Sequence, residues 1–276
     1  MHNIIFEDNM VMLKNIDNFD LKKTFECGQC FRWEQNENGF WQSIVGGKEI
    51  NASQDDTNIV LFPCSKEDFD EFWFNYFDLG RDYSAINEVL NNDKTLKNAV
   101  KYGKGIRILN QEPWETLCSF IISQNNNIPR IKGIISRLCE NFGEKKSFGY
   151  TFPSAEKIAS LSVDDLAVLR SGFRAKYIID AAKKVTSGTI NLDELKKLDS
   201  DSAREILTTI YGVGEKVADC TLLFGLGHTN VFPKDVWIKR ALSVLYNGKF
   251  PDCALNYEGI AQQYLFYYAR ETKLNV

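Results

Sequence analysis

The stretch LTTIYGVGEKVADCTLLFGLGHTNVFPKDVWIKRAL, residues 207–242, limits what this chain can fold into more than any other. An apolar helical pattern stops at Tyr211, Gly212-Val213-Gly214 turns the chain, and a second periodic run opens at Glu215 and continues to Leu226. The spacing predicts a helix, a tight hairpin and a second helix over about 202–226. Two glycines in the turn allow positive φ and remove the side chains that would hold a phosphate away from the backbone N–H groups. The second helix then aims its free amides and positive dipole end at the same place. Such a turn is an anion seat that fits a DNA backbone phosphate, although GVG alone better describes a plain turn between helices.

The residue after the turn narrows the reading. Lys216 falls in the first helical turn, where the macrodipole disfavours a cation and favours a neutral amine. A free lysine titrates at about 10.4, whereas an amine nucleophile at neutral pH needs a value of about 7 to 8. That gap is about 4 kcal/mol, within reach of burial, a helix N-terminus and cationic neighbours acting together. After the loop GHTNVFPK, Asp235 precedes VWIKRAL in N-cap position. As a plain cap it contributes roughly 1 kcal/mol; as a carboxylate opposite Lys216 it would hold a developing sugar cation.

The chain has 276 residues, 44% hydrophobic and 25% charged, enough for two modest domains with a real core. Its net charge of -4 argues against broad electrostatic coating of nucleic acid. Positive charge is local, at Lys101, Lys104, Arg107, Arg130, Lys132 and Arg137, and again from Arg170 to Lys184. The seven cysteines are scattered and odd in number, which suits a reducing compartment. Only Cys27 and Cys30 form a C-x-x-C pair, so no metal site is expected. MHNIIFEDNM has no leader pattern and no apolar run reaches membrane length, so a cytoplasmic protein is expected, and the frequent Asn, Lys and Ile suit an AT-rich bacterial genome.

Read in order, residues 4–62 alternate in short runs such as Phe40–Val45, Lys48–Ile50 and Asn58–Phe62, which predicts an antiparallel sheet. FECGQCFRW, residues 25–33, reads within it as a strand start with a structural glycine. From Ser65 the period turns helical, with an aromatic stripe of Phe69, Phe72, Trp73, Tyr76 and Phe77, and a helix from about Tyr83 to Asn92 follows. The chain crosses to an all-helical region near Arg107. Helices are expected at Trp114–Ile122, Arg130–Phe142, from Ser162, at Tyr177–Val185 and at Tyr257–Arg270, the last placing Gln262 and Phe266 on one face.

FECGQCFRW, FIISQNNNIPRI, GFRAKYI, GVGEKVADC, VFPKDVW and AQQYLF occur in one order along the chain. Together with the hairpin, its lysine and the loop ending in aspartate, they resemble the helix-hairpin-helix-GPD superfamily, and within it the 8-oxoguanine DNA glycosylases, over nearly the whole chain. The resemblance implies an α+β fold: an N-terminal domain with a twisted antiparallel sheet, residues 1–106, and a helical domain, residues 107–276, that carries the hairpin. It implies a monomeric enzyme acting on duplex DNA that contains 8-oxoguanine opposite cytosine, with no metal or organic cofactor and no membrane association.

The resemblance also assigns residues. The carbonyl of Gly28 would accept the N7 proton that 8-oxoguanine has and guanine lacks, a discrimination of roughly 1 to 3 kcal/mol. Cys220 and Phe266 would sandwich the flipped base and Gln262 would face its Watson–Crick edge. Asn125 would fill the gap in the stack, Arg130 and Arg174 would hold the orphaned cytosine beside Phe173, and Gly212, Gly214 and Trp237 would lie on the backbone. Lys216 would attack the sugar C1′ to give a Schiff base, Asp235 would stabilise the transition state, and β-elimination would nick the strand. Two residues depart from the pattern. Phe173 stands where eukaryotic members have tyrosine, and Trp237 replaces a phosphate-contacting histidine. A superfamily glycosylase for another damaged base and a non-catalytic hairpin module that only grips phosphates stand as alternatives, although mere binding requires neither Lys216 nor Asp235.

Overall fold

The computed structural model describes residues 3–274. Its strands are β1 (Asn3–Glu7), β2 (Met10–Lys14), β3 (Glu34–Gln35), β4 (Trp41–Val45), β5 (Lys48–Asp55) and β6 (Asn58–Phe62); every pairing resolved between them is antiparallel and helices make up most of the rest. This is the expected α+β class. The chain forms two compact units, and neither is continuous in sequence. The first takes the described parts of Met1–Gln29, Ser53–Asn110 and His228–Val276; the second takes Cys30–Ala52 and Gln111–Gly227. One break between the units falls at 110/111, and each unit is assembled from separated segments rather than from one continuous run such as 1–106 or 107–276.

In the first unit β2 pairs with β1 and β6, and Val11, Leu13, Ile59 and Leu61 point to one buried face. The alternation seen in the sequence is this face. The aromatic stripe becomes core: Phe69, Trp73, Tyr76 and Phe77 are buried, beneath a helix start capped by Ser65, which accepts from the Asp68 N–H. Residues Leu21–Glu26, expected among strands, are helical instead. Asp20 caps them by accepting from the Lys23 N–H, and Leu21, Thr24 and Phe25 bury one helical face, so 3.6-residue periodicity wins over a short alternating run. A helix at Lys94–Gly103, capped by Asp93, was not foreseen; Leu96, Ala99, Val100 and Gly103 give its buried stripe. The final helix, Glu258–Glu271, lies on it with the Tyr264 ring against Gly103. The same helix reaches the other end of the unit, where Gln263 Nε2 donates to the Cys27 carbonyl at 2.9 Å and an Arg270 terminal nitrogen donates to the Glu26 carbonyl at 2.9 Å.

In the second unit β4 pairs with β3 and with the start of β5. Arg32, from the FECGQCFRW segment, is a structural clamp: it donates to the carbonyls of Ile44 (2.7 Å) and Tyr150 (2.5 Å) and pairs with Glu115 at 3.0 Å. Burial raises the Glu115 carboxyl, and Arg32 opposes that shift. The helix Pro113–Ser123 buries every residue from Thr116 to Ile122, as its all-round apolar pattern requires. It packs on Glu215–Gly225, with Thr116 against Gly225 and Phe120 stacked on Phe224 at 5.4 Å. The helix expected from Ser162 is a short 3-10 turn, Asp165–Leu169, because the Ser162 N–H and hydroxyl both donate to Asp165 and Arg170 takes a left-handed φ of 54°. No helix among the described residues is long and apolar enough to cross a membrane, and no cluster of three metal-ligating side chains occurs among them.

Candidate functional site

The hairpin joins Ser200–Thr208 to Glu215–Gly225. Arg204 Nε and Asp219 Oδ1 pair across it at 2.5 Å, with Asp219 buried, which locks the second helix to the first. Only Gly212 needs its glycine for φ (+79°); a Cβ there would also run into the Tyr177 ring. Gly214 is the N-cap at φ −102°, ψ 179°, with open space where a Cβ would stand. The expectation of positive φ at both glycines is therefore corrected. Gly214 instead keeps the approach to the helix N-terminus clear, and no side chain caps that end.

Lys216 is half-buried in the first turn of this helix. Its Nζ donates to Ser123 Oγ at 3.3 Å and lies 5.0 Å from the centroid of the Phe120 ring. No carboxylate among the described residues of its unit forms an ion pair with it. One turn on, Cys220 is 3% exposed on the same helix. Ser123 and Phe120 were missed in the sequence; their signal is a spacing of three at the end of a buried helix, just ahead of the asparagine run.

That run turns the chain with Asn125 exposed at φ +47° and Asn127 capping Ile128–Phe142 by accepting from the Arg130 N–H. Arg174 was expected on an orphaned base. In this structure its side chain is 2% exposed and its donors go to backbone carbonyls: Gln124 (Nε, 2.9 Å, and a terminal nitrogen), Asn125 (3.0 Å) and Ser171 (3.1 Å). It buckles the Asn125 loop to its own helix, Arg174–Thr186. Burial, with the nearby charge of Arg130, lowers its pKa. Arg130 is the exposed cation of the pair, and Phe173, 45% exposed, lies against the Arg174 guanidinium at 4.4 Å.

The first unit gathers the remaining residues. Gly28 has φ +86°, and a Cβ on it would sit 3.3 Å from Phe266 Cε1, so the glycine backbone lies against the Phe266 ring. Gln262, one turn before Phe266, donates from Nε2 to the Pro233 carbonyl at 3.2 Å, which ties the last helix to the VFPKD loop. It is 4% exposed, and its Oε1 is buried with no hydrogen-bond partner among the described residues, a costly state that a donor-bearing ligand edge would relieve. Asp235 caps Val236–Tyr246, accepting from the Ile238 N–H at 2.8 Å. Trp237 is half-buried, with the Arg240 guanidinium 5.7 Å from its ring centroid. Thus Gly28, Gln262, Phe266, Asp235 and Trp237 belong to the first unit, and Lys216, Cys220, Asn125, Arg130, Phe173, Arg174, Gly212 and Gly214 to the second.

Residues 11–117 match the family model of the 8-oxoguanine DNA glycosylase N-terminal domain, and residues 118–252 that of the HhH-GPD superfamily base excision DNA repair proteins. The chain is 35% identical over 251 residues to an N-glycosylase/DNA lyase of Saccharomyces cerevisiae; the match covers 80% of this chain and 66% of the yeast protein's length. Among solved structures, one of MBOgg1 in complex with a low affinity DNA ligand superposes with a TM-score of 0.94 at 44% identity, covering 99% of each chain. The Clostridium acetobutylicum 8-oxoguanine glycosylase/lyase, in complex with double-stranded DNA containing cytosine opposite 8-oxoguanine, superposes with a TM-score of 0.92 at 39% identity, covering 98% of each chain.

Proposed function

The chain belongs to the 8-oxoguanine DNA glycosylase family of the helix-hairpin-helix-GPD superfamily, and from that premise we propose that it excises 8-oxoguanine from duplex DNA and then cleaves the strand by β-elimination. The observation that carries this reading is the setting of Lys216: a half-buried amine at a helix N-terminus, held by a serine hydroxyl and an aromatic face rather than by a carboxylate of its unit. The Lys216 nitrogen attacks C1′ of the damaged nucleotide. The C1′–N9 bond breaks with its electron pair going to the base, which takes up a proton. Ring opening and loss of the second amine proton give the imine, and removal of a C2′ proton then expels the 3′ phosphate. Asp235 offsets the positive charge that builds on the sugar.

Base recognition falls to the first unit. The Gly28 carbonyl accepts the N7 proton of the lesion, Phe266 provides a stacking face, and the unsatisfied Oε1 of Gln262 accepts from the Watson–Crick edge. Cys220 packs the opposite face of the base. Asn125, with Arg130 and Phe173, occupies the gap and meets the orphaned cytosine, while Arg174 holds that loop in shape. Gly212, Gly214 and Trp237 lie along the backbone. The Asn-, Lys- and Ile-rich composition supports a bacterial source, and action on duplex DNA then makes it a chromosome-bound enzyme of the cytoplasm.

Borohydride trapping on a duplex with one 8-oxoguanine opposite cytosine, beside the same duplex with guanine, tests the reading. A covalent adduct should form on the lesion strand alone. Lys216→Gln should bind that duplex, give no adduct and lose base excision by at least about a thousandfold, the scale on which an essential nucleophile contributes. A Lys216→Gln enzyme that kept most of its turnover would end the nucleophile assignment. An intact lesion after long incubation with the parent protein would point to a different damaged base.

A further inference from the structure

The second unit carries a ladder of three aromatic rings, of which the reading above uses only Phe173. Phe173 meets Tyr177 edge to face at 5.5 Å, and Tyr177 meets Tyr211 edge to face at 5.0 Å. The ends are exposed, Phe173 at 45% and Tyr211 at 54%. The middle ring fills the space left by the missing side chain of Gly212, so the ladder is seated against the hairpin turn itself. Tyr211 packs edge to face on Tyr177 yet stays largely open beside the turn.

Lys176 completes the group. Its Nζ lies 5.1 Å from the Tyr211 ring centroid and 5.7 Å from that of Tyr177, and donates to the Tyr211 hydroxyl at 3.4 Å. The carboxylate one turn on, Asp180, is occupied by the Tyr211 backbone N–H at 2.7 Å and by Lys184 Nζ at 2.9 Å. Asp180 thereby pins the backbone entering the turn and is drawn away from Lys176. An ammonium steadied by two rings, with no ion pair to a carboxylate among the described residues, is available to an outside anion.

We propose that Lys176 and Tyr211 form a second contact for a DNA backbone phosphate, next to the one the Gly212–Gly214 turn offers, and that Tyr177 fixes the spacing between this contact and Phe173. It rests on the reading that the chain engages duplex DNA, and it makes Lys176 and Tyr211 positioning residues that read no base.

The test is equilibrium binding over a salt series, on an undamaged duplex and on one holding an uncleavable abasic-site analogue. Lys176→Met should weaken binding to both duplexes alike, about fivefold, and lower the slope of log affinity against log salt by about one. Lys176→Arg should restore the slope. Tyr211→Phe should keep most of the affinity and Tyr211→Leu should lose it about as Lys176→Met does. Lys183→Met, which removes an exposed charge from the same helix away from the rings, should leave the slope where it was. An unchanged slope for Lys176→Met, or an equal fall for Lys183→Met, overturns the proposal. If Tyr211→Leu fails to fold by circular dichroism, the lysine variants decide alone. A parent protein that binds DNA but leaves 8-oxoguanine in place would overturn the enzymatic reading and leave this test intact.

Discussion

At the scale of single residues the most demanding position is Gly28. Its φ of +86° costs an L side chain about 1 kcal/mol, and the added Cβ would push the Phe266 ring by a few tenths of an ångström. The two effects fall on the residues assigned to hold the base, and neither reaches the core. Gly28→Ala is therefore expected to stay folded, with a melting temperature within a few degrees of the parent, and to lose roughly tenfold in kcat/KM on 8-oxoguanine. Single-turnover excision assays beside thermal melts check both halves; a folded variant with unaltered excision would remove Gly28 from the recognition set. That this glycine is structural could be read from the sequence, where it marks the turn ahead of Phe31-Arg32-Trp33. The burial of Arg174 could not. It depends on the carbonyl of Gln124, fifty residues away, and a lone arginine after a glycine turn reads equally well as an exposed contact.

At the scale of elements the hairpin supports a paired prediction. Gly212→Ala adds a side chain at φ +79° into the Tyr177 ring and should destabilise the fold by about 2 to 4 kcal/mol, with loss of binding to damaged and undamaged DNA alike. Gly214→Ala enters open space at φ −102° and should cost only about 1 kcal/mol, the penalty of alanine at an N-cap, yet weaken DNA binding by standing over the free amides. Thermal melts and DNA titration of the two variants check this; equal losses of stability would mean the turn is not built as described. The hairpin was legible because two amphipathic runs flank a turn with distinctive glycines. The same holds for Pro113–Ser123, whose uniform apolarity permits only burial. The six-residue helix Leu21–Glu26 was not legible, since a run that short satisfies either period and its cap, Asp20, does not by itself select the helical one. The Arg204–Asp219 pair was hidden for a related reason: its partners lie on two helices whose register only the turn decides.

At the scale of the whole molecule, buried thiols tie stability to alkaline pH. Burial pushes Cys27 up to about 11, Cys139 up to about 12 and Cys118 well above its ordinary value. An unfolded thiol ionises near about 8.5. Between that value and the folded ones the native state holds protons that the unfolded state releases, so stability falls as pH rises. Melting temperature should drop progressively above about pH 9, and Cys139→Ala, though less stable near neutrality, should fall less steeply. A parallel decline in the two proteins would discount this source of alkaline sensitivity. The division into two discontinuous units escaped the sequence because no composition shift marks a strand that passes from one unit to the other at 52/53.

The closure of the first unit by its last helix has a consequence for synthesis. Cys27 and Gln263 are hydrogen-bonded across 236 positions of chain, and Phe266 covers Gly28 across a similar span. A nascent polypeptide therefore exposes Gly28 long before the helix Glu258–Glu271 is made, and must leave it uncovered until that helix emerges. A premature stop that spares the hairpin and Lys216 would still remove Gln262 and Phe266, the residues proposed to read the base. On this architecture the proposed base-reading surface is completed after the hairpin and its lysine have been made.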